Sequence, residues 1–151
     1  MIRIISVGKT KEKWLQDALA EYVKRLGRFT KIELVEVREE KVIQDSERVK
    51  KIEAERILKN IKDFYVIALD SCGKQIDSGE MAVMLKKMEQ CSCDIAFVIG
   101  GPMGLSKELL KNADMQMSLS NMTFTHQMVR LILLEQVYRG HMINAGREYH
   151  K

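Results

Sequence analysis

A chain of 151 residues has the size of one folded domain and can bury enough surface to fold without disulfide or metal staples. With 46% hydrophobic and 30% charged residues it has an ordinary globular composition, and no apolar run is long enough to span a bilayer. The net charge of +4 is mild but uneven: eight Lys/Arg face three acids in residues 1–31, thirteen face sixteen in 32–120, and four face two in 121–151, where all three histidines lie.

The first element is IRIISV (2–7), a short β-branched run that ends at Gly8 and reads as a strand followed by a turn. Lys11 to Leu26 reads as an amphipathic helix with Trp14, Leu15, Leu19, Tyr22, Val23 and Leu26 on one stripe, closed by Gly27. IELVEV (32–37) alternates strictly, as a half-exposed strand does. Residues 46–61 are charged, with a thin apolar stripe of Val49, Ile52, Ile57, Leu58 and Ile61. FYVIAL (64–69) is a continuous apolar run, which suits a central parallel strand covered on both faces. A helix over 78–90 follows, with Met81, Leu85 and Met88 as its apolar side. IAFVIGG (95–101) is a second buried strand running into glycine. A short helix from Ser106, a brief strand over 115–119 and a helix from His126 to about Ile143 complete the chain.

This alternation, with two buried central strands, predicts an α/β fold with a mostly parallel sheet and helices on both faces. One proline, no flexible linker and no internal repeat predict a single domain spanning 1–151. No signal peptide is visible at the start, and Cys72, Cys91 and Cys93 are too few and too oddly placed for a disulfide framework. A cytoplasmic protein with reduced thiols, no membrane association and no metal is the expectation.

In open parallel sheets, ligands bind beyond the carboxyl ends of the strands. Three such ends compete here: Leu69-Asp70-Ser71, Gly100 to Gly104, and Leu119-Ser120-Asn121. GGPMG follows a buried strand and precedes a helix that Ser106 can cap, and its glycines would let a ligand approach the backbone. It has neither the dinucleotide spacing nor the Walker order, and a plain turn explains it equally well. The 126–143 helix is apolar on nearly every sector, so it needs cover beyond its own sheet, and a partner subunit would supply it. His126, Arg130 and His141 fall within about 60° on its wheel. Glu135 and Arg139 form an i,i+4 pair, either a structural salt bridge or part of a site. The basic ends of the chain suit an anionic partner such as RNA, or simply a solvated surface.

The succession FVIGGPMGL, then LSNMTFTHQMVRLILLEQVYRG, then a terminal YHK resembles the ribosomal large-subunit methyltransferase H family, small single-domain members of the SPOUT methyltransferases. ISVGKTKEKW and EYVKRLGRFTKIELVEV resemble that family's N-terminal half, so the likeness covers essentially the whole chain. It implies a homodimer whose C-terminal part forms a deep trefoil knot. It implies bent S-adenosylmethionine held at Leu69, Gly100, Leu119, Ser120, Asn121, Met122, Thr123 and Phe124, mostly by backbone. It also implies methylation of N3 of a pseudouridine in 23S ribosomal RNA, on the assembled large subunit or ribosome. A non-catalytic RNA-binding dimer of the same fold is the alternative, and a nucleotide-binding regulator a further one.

For such chemistry His126 and His150 are the titratable candidates, with Arg130, Arg139 and Lys151 to hold phosphate or the developing imide anion. The resemblance places Tyr149 and His150 of one subunit over the base bound by the other. Lys9, Lys11, Lys13, Arg25 and Arg28 are expected to meet phosphates. The family usually has proline where this chain has Thr125, which predicts a slightly looser loop.

Overall fold

A computed structural model describes residues 1–41 and 45–147; Tyr149, His150 and Lys151 lie outside the described residues. Strands and helices alternate as β1 (Ile2–Val7), α1 (Lys13–Leu26), β2 (Ile32–Val37), α2 (Ser46–Leu58), β3 (Tyr65–Gln75), α3 (Ser78–Gln90), β4 (Ile95–Ile99), α4 (Lys107–Asn112), β5 (Met115–Ser118) and α5 (His126–Asn144). The strands form one parallel sheet in the order β2-β1-β4-β3-β5.

Alternate strand residues feed two cores, because successive side chains point to opposite faces. Ile4, Ile67, Phe97 and Met117 pack with Leu15 and Leu19 of α1, Met81 and Leu85 of α3, and Leu133, Leu134 and Val137 of α5. Ile5, Val7, Val66, Ala68 and Val98 pack with Ala54 and Ile57 of α2 and Leu109 of α4. Every residue of β4 is buried, as a central strand covered on both faces requires. The edge strand β2 keeps Leu34 in solvent.

Helix starts follow their caps. Asp77 opens α3 with a complete capping box to Glu80, Asp45 opens α2, and Ser106 opens α4 by accepting from the Leu109 amide at 3.2 Å. Three sequence readings need correction. Trp14 leaves the buried stripe of α1 and is 56% exposed, because α1 turns Leu15, Leu19 and Leu26 to the sheet and Trp14 lies 100° off Leu15. α2 ends at Leu58, which is exposed, rather than at Ile61. β3 runs on to Gln75: after pairing Leu69 with Met117 it leaves the ladder for residues 70–73, then pairs Lys74 with the same Met117. The excursion needs Gly73, where a Cβ would come within 2.6 Å of the Met117 amide nitrogen.

α5 lies between α1 and α3 on the sheet, which is why a helix apolar on most sectors is stable here. Close approach to α3 depends on Gly140, whose added Cβ would meet Leu85 Cδ1 at 2.8 Å and the Ala82 backbone at 3.4 Å. Asn144 Nδ2 donates to the Ala82 carbonyl at 2.8 Å and locks the last turn.

Near the same end, His141 is 8% exposed and stacks on Phe29, with ring centroids 5.4 Å apart and planes 10° apart. Its Nε2 has no hydrogen-bond partner among the described residues, and burial pushes its pKa below 6.5. A histidine whose folded pKa is depressed adds stability above its unfolded value, and that stability is lost as pH falls below it towards the folded value. Lowering the pH from about 7 to about 5 should therefore reduce the melting temperature more in the wild type than in His141→Leu. Other titrating groups act equally on both proteins, so identical pH slopes would contradict the assignment.

Candidate active site

The carboxyl ends of β3, β4 and β5 open into one cleft of about 790 Å³, within the range of small-molecule sites. Its floor is Ile99, Gly100 and Met117; one wall is Leu69-Asp70-Ser71, and the other is the segment from Leu119 to the first turn of α5. Glu12, Trp14 and Leu15 close it from the N-terminal half of the chain. All three strand ends singled out in the sequence thus meet at one place.

Backbone geometry shapes the floor. Residues 101–104 form a tight turn in which the Gly104 amide donates to the Gly101 carbonyl at 2.9 Å, with Gly104 at φ +77°. A Cβ on Gly100 would come within 2.8 Å of the Gly104 carbonyl carbon, so the strand must end in glycine for the turn to fold back on it. Residues 119–125 form a wall of mixed polar and apolar side chains without a charge. Ser120 Oγ accepts from the Met122 amide at 3.0 Å, and Ser118 Oγ donates to the Ser120 carbonyl at 3.0 Å. Met122 and Phe124 remain solvent-exposed.

Of the positions assigned to the methyl donor, Leu69, Gly100, Leu119, Ser120, Met122, Thr123 and Phe124 line the cleft. Asn121 does not, since its side chain turns away to accept from Gln75 Nε2. Thr125 is the N-cap of α5 rather than its first residue. Its φ of −63° is what proline would impose, and its hydroxyl accepts from the Met128 amide at 3.3 Å. The expected loosening is thus offset by a hydrogen bond that proline cannot make.

The helix residues separate. His126 lines the cleft. Burial, the Arg130 guanidinium and then Lys11 hold its pKa below 6.5, against an opposing pull from Glu39, so the imidazole is neutral at pH 7. Arg130, expected to face the substrate, turns the other way and is 3% exposed. Nη1 donates to Thr10 Oγ1 at 2.6 Å and Glu36 Oε1 at 3.0 Å, and Nη2 to the Val7 and Gly8 carbonyls at 2.8 and 2.9 Å. Arg139 donates twice to Glu135 Oε1, at 2.6 and 3.0 Å. It lies thirteen residues beyond His126, roughly 20 Å along the helix, so a single chain does not bring it to this cleft. His141 belongs to the core.

Lys9 and Lys11 are exposed in the β1–α1 connection beside the cleft, and Lys13, exposed at the start of α1, pairs with Asp17 at 2.9 Å. Arg25 instead pairs with Glu21 at 2.8 Å and covers the Tyr22 ring, which ties it to its own helix. Cys72, Cys91 and Cys93 are free and exposed, and the described residues contain no cluster suited to a metal.

The family model described as "Predicted SPOUT methyltransferase" matches residues 1–150. The chain belongs to the SPOUT methyltransferase family. Within it, the chain is 49% identical to the ribosomal RNA large subunit methyltransferase H of Alkaliphilus oremlandii and 50% identical to that of Ligilactobacillus salivarius, over 99% of each chain. These matches place it in the methyltransferase H group. More distant solved structures share the fold. A probable methylase family protein from Haemophilus influenzae aligns with TM-score 0.60 at 20% identity, over 99% of this chain and 70% of that one. A tRNA (m1G37) methyltransferase from Aquifex aeolicus aligns with TM-score 0.55 at 16% identity, over 91% of this chain and 69% of that one. The sheet order, with β5 outside β3 and α5 returning across the strand ends, is compatible with the knot that the sequence resemblance implied.

The sequence reading missed Trp14 and Glu12 as cleft residues, whereas Asp70 and Ser71 had been singled out with the end of the 64–69 strand. Trp14 gave a signal that was read the other way, because a large aromatic at helical spacing looks like core. Asp70 and Ser71 lie in the β3 excursion, whose departure from the ladder the sequence did not advertise.

Two outcomes follow for this SPOUT methyltransferase. Thr125→Ala should lower stability by about 1 kcal/mol, a fall of about 3 °C in melting temperature. Since Trp14 is the chain's single tryptophan, S-adenosylmethionine entering the cleft should change tryptophan emission with the same midpoint that calorimetry gives.

Proposed function

We propose that the chain is an S-adenosylmethionine-dependent methyltransferase that acts, as a homodimer, on N3 of a pseudouridine in 23S ribosomal RNA of the assembled large subunit or ribosome. The observation that carries this reading is the cleft over the ends of β3, β4 and β5, lined largely by apolar side chains around the Gly100–Gly101 floor and flanked by a neutral histidine and a lysine-bearing loop. The names of the full-length relatives support the ribosomal RNA part.

The glycine-lined floor at Gly100 and the uncharged wall at 119–124 fit a methyl donor that carries a sulfonium charge and a nucleoside. When bound there, S-adenosylmethionine supplies an electrophilic methyl group. The protein's own residues must hold the base in line and manage one proton. N3 of pseudouridine is an imide nitrogen; its N–H bond breaks as the N–CH₃ bond forms, and the proton needs an acceptor. His126 is neutral at pH 7 and sits in the cleft, so it is suited to that role. Thr125 holds the first turn of α5, and with it the imidazole, by capping the helix. Lys9, Lys11 and Lys13 meet backbone phosphate, and shape on a large particle supplies selectivity that so small a chain cannot obtain from sequence readout.

Arg139 supports the dimeric part of the reading. Its distance from the cleft in one chain means that, if it acts at a cleft, it acts at that of a second copy, where the family resemblance also puts Tyr149 and His150. Glu135 then serves to orient the guanidinium.

Radiolabelled methyl transfer from S-adenosylmethionine to ribosomes lacking the modification, followed by mapping of the modified base, tests the proposal. Label at N3 of one 23S pseudouridine is expected, and ribosomes should be preferred to naked RNA. Because the His126 pKa lies below 6.5, activity should persist at pH 7 and fall only at lower pH. In His126→Gln that acidic limb should be lost. Deleting residues 149–151 should abolish transfer while leaving S-adenosylmethionine binding near normal, and retained activity would count against a composite site.

A further inference from the structure

We propose that Arg130 is a positioning residue that latches the lysine-bearing loop, residues 8–12, to the helix turn next to the cofactor wall. The proposal rests on the methyltransferase reading and assigns Arg130 a role that does not require contact with RNA or methyl donor.

The partners of Arg130 are unusual for a charged residue on an apolar helix. Its guanidinium engages Val7 and Gly8 at the end of β1, Thr10 in the loop, and Glu36 on the neighbouring strand β2. Thr10 is held a second time, since its amide and its hydroxyl both donate to Glu36 Oε1, at 2.7 and 2.8 Å. Gln16 Nε2 of α1 donates to the Thr10 carbonyl at 2.8 Å. Thr10 is thereby fixed inward at 8% exposure, and its neighbours Lys9 and Lys11 are both turned out to solvent. Gly8, at φ +83°, makes the bend that lets the loop leave β1 in this direction.

The other end of the latch is the cleft. Arg130 follows His126 by one helical turn, and His126 belongs to the segment that continues the cofactor wall. One buried side chain therefore sets where Lys9 and Lys11 stand relative to the bound methyl donor. A lysine cannot replace it, because a single ammonium lacks the planar fork that reaches two carbonyls, a hydroxyl and a carboxylate at once. The residues assigned to the donor lie elsewhere on the cleft, so loosening the latch should disturb the RNA side selectively.

The test uses the full-length dimer with Arg130→Lys and, as a milder change that keeps α5 intact, Thr10→Val. Steady-state transfer to ribosomes gives KM and kcat, calorimetry gives the S-adenosylmethionine Kd, and amide exchange reports on the loop. Both variants should raise the ribosome KM by about tenfold or more while the donor Kd stays within roughly threefold. The Thr10 amide, which donates to Glu36, should exchange faster in Arg130→Lys, with residues 119–125 unchanged. A ribosome KM within roughly twofold of wild type in both variants, or a donor Kd that rises in parallel with KM, overturns the latch. Wild-type protein that transfers no methyl group refutes the parent reading instead. Exchange at Thr10 then decides the latch by itself: unchanged protection in Arg130→Lys overturns it.

Discussion

A guanidinium enclosed by protein needs acceptors, because leaving it unpaired costs several kcal/mol. Arg130 finds them at one place in this chain, the end of β1 and the adjoining Glu36. That requirement fixes both the roll and the axial position of α5 over the sheet, which an almost uniformly apolar helix surface would specify poorly. Gly140 and Asn144 fix the other end against α3. With α5 anchored beside β1 and β5 at the far edge, residues 119–125 must cross the ends of β3 and β4 to connect them. Three strand spacings amount to roughly 14 Å, and seven extended residues reach roughly 23 Å, so the connection can cross the strand ends with length to spare for a wall. The cleft is the space beneath that crossing.

The charged residues of α5 then divide by depth. Arg130 joins the helix to β1, Glu135 and Arg139 pair on its half-buried side, and His141 fills core space against Phe29. His126, at the start, is the one that faces the cleft. Its neutrality follows from position, since burial and the cation one turn away both disfavour a second positive charge. Under the proposed function, an uncharged imidazole would also avoid repelling a sulfonium donor.

Much of this was legible in the sequence because the strands and most helices carry their own signals. The apolar runs at 64–69 and 95–101 located the central strands, and Ser106 and the apolar stripes located helices. The ligand-side strand ends followed from parallel-sheet topology, and the family resemblance gave them a chemistry. What the sequence hid was direction. A helical wheel puts Arg130 beside His126, yet one side chain curls towards β1 while the other stays at the cleft, and only long-range partners such as Thr10 and Glu36 decide that. Trp14 misled for the same reason, since periodicity cannot separate a core aromatic from one at the lip of a site. The β3 excursion at 70–73 depends on the close passage of Gly73 over Met117, a contact between segments over forty residues apart.

Under the proposed function, the crossing of residues 119–125 over β3 and β4 makes the methyl-donor site. A crystal structure of the protein with S-adenosylmethionine tests it most directly. The donor is expected between Gly100 and the 119–124 wall, bounded by Leu69, with its methyl group open towards His126. Donor bound at any other surface, or a cleft left empty at saturating donor, would contradict it.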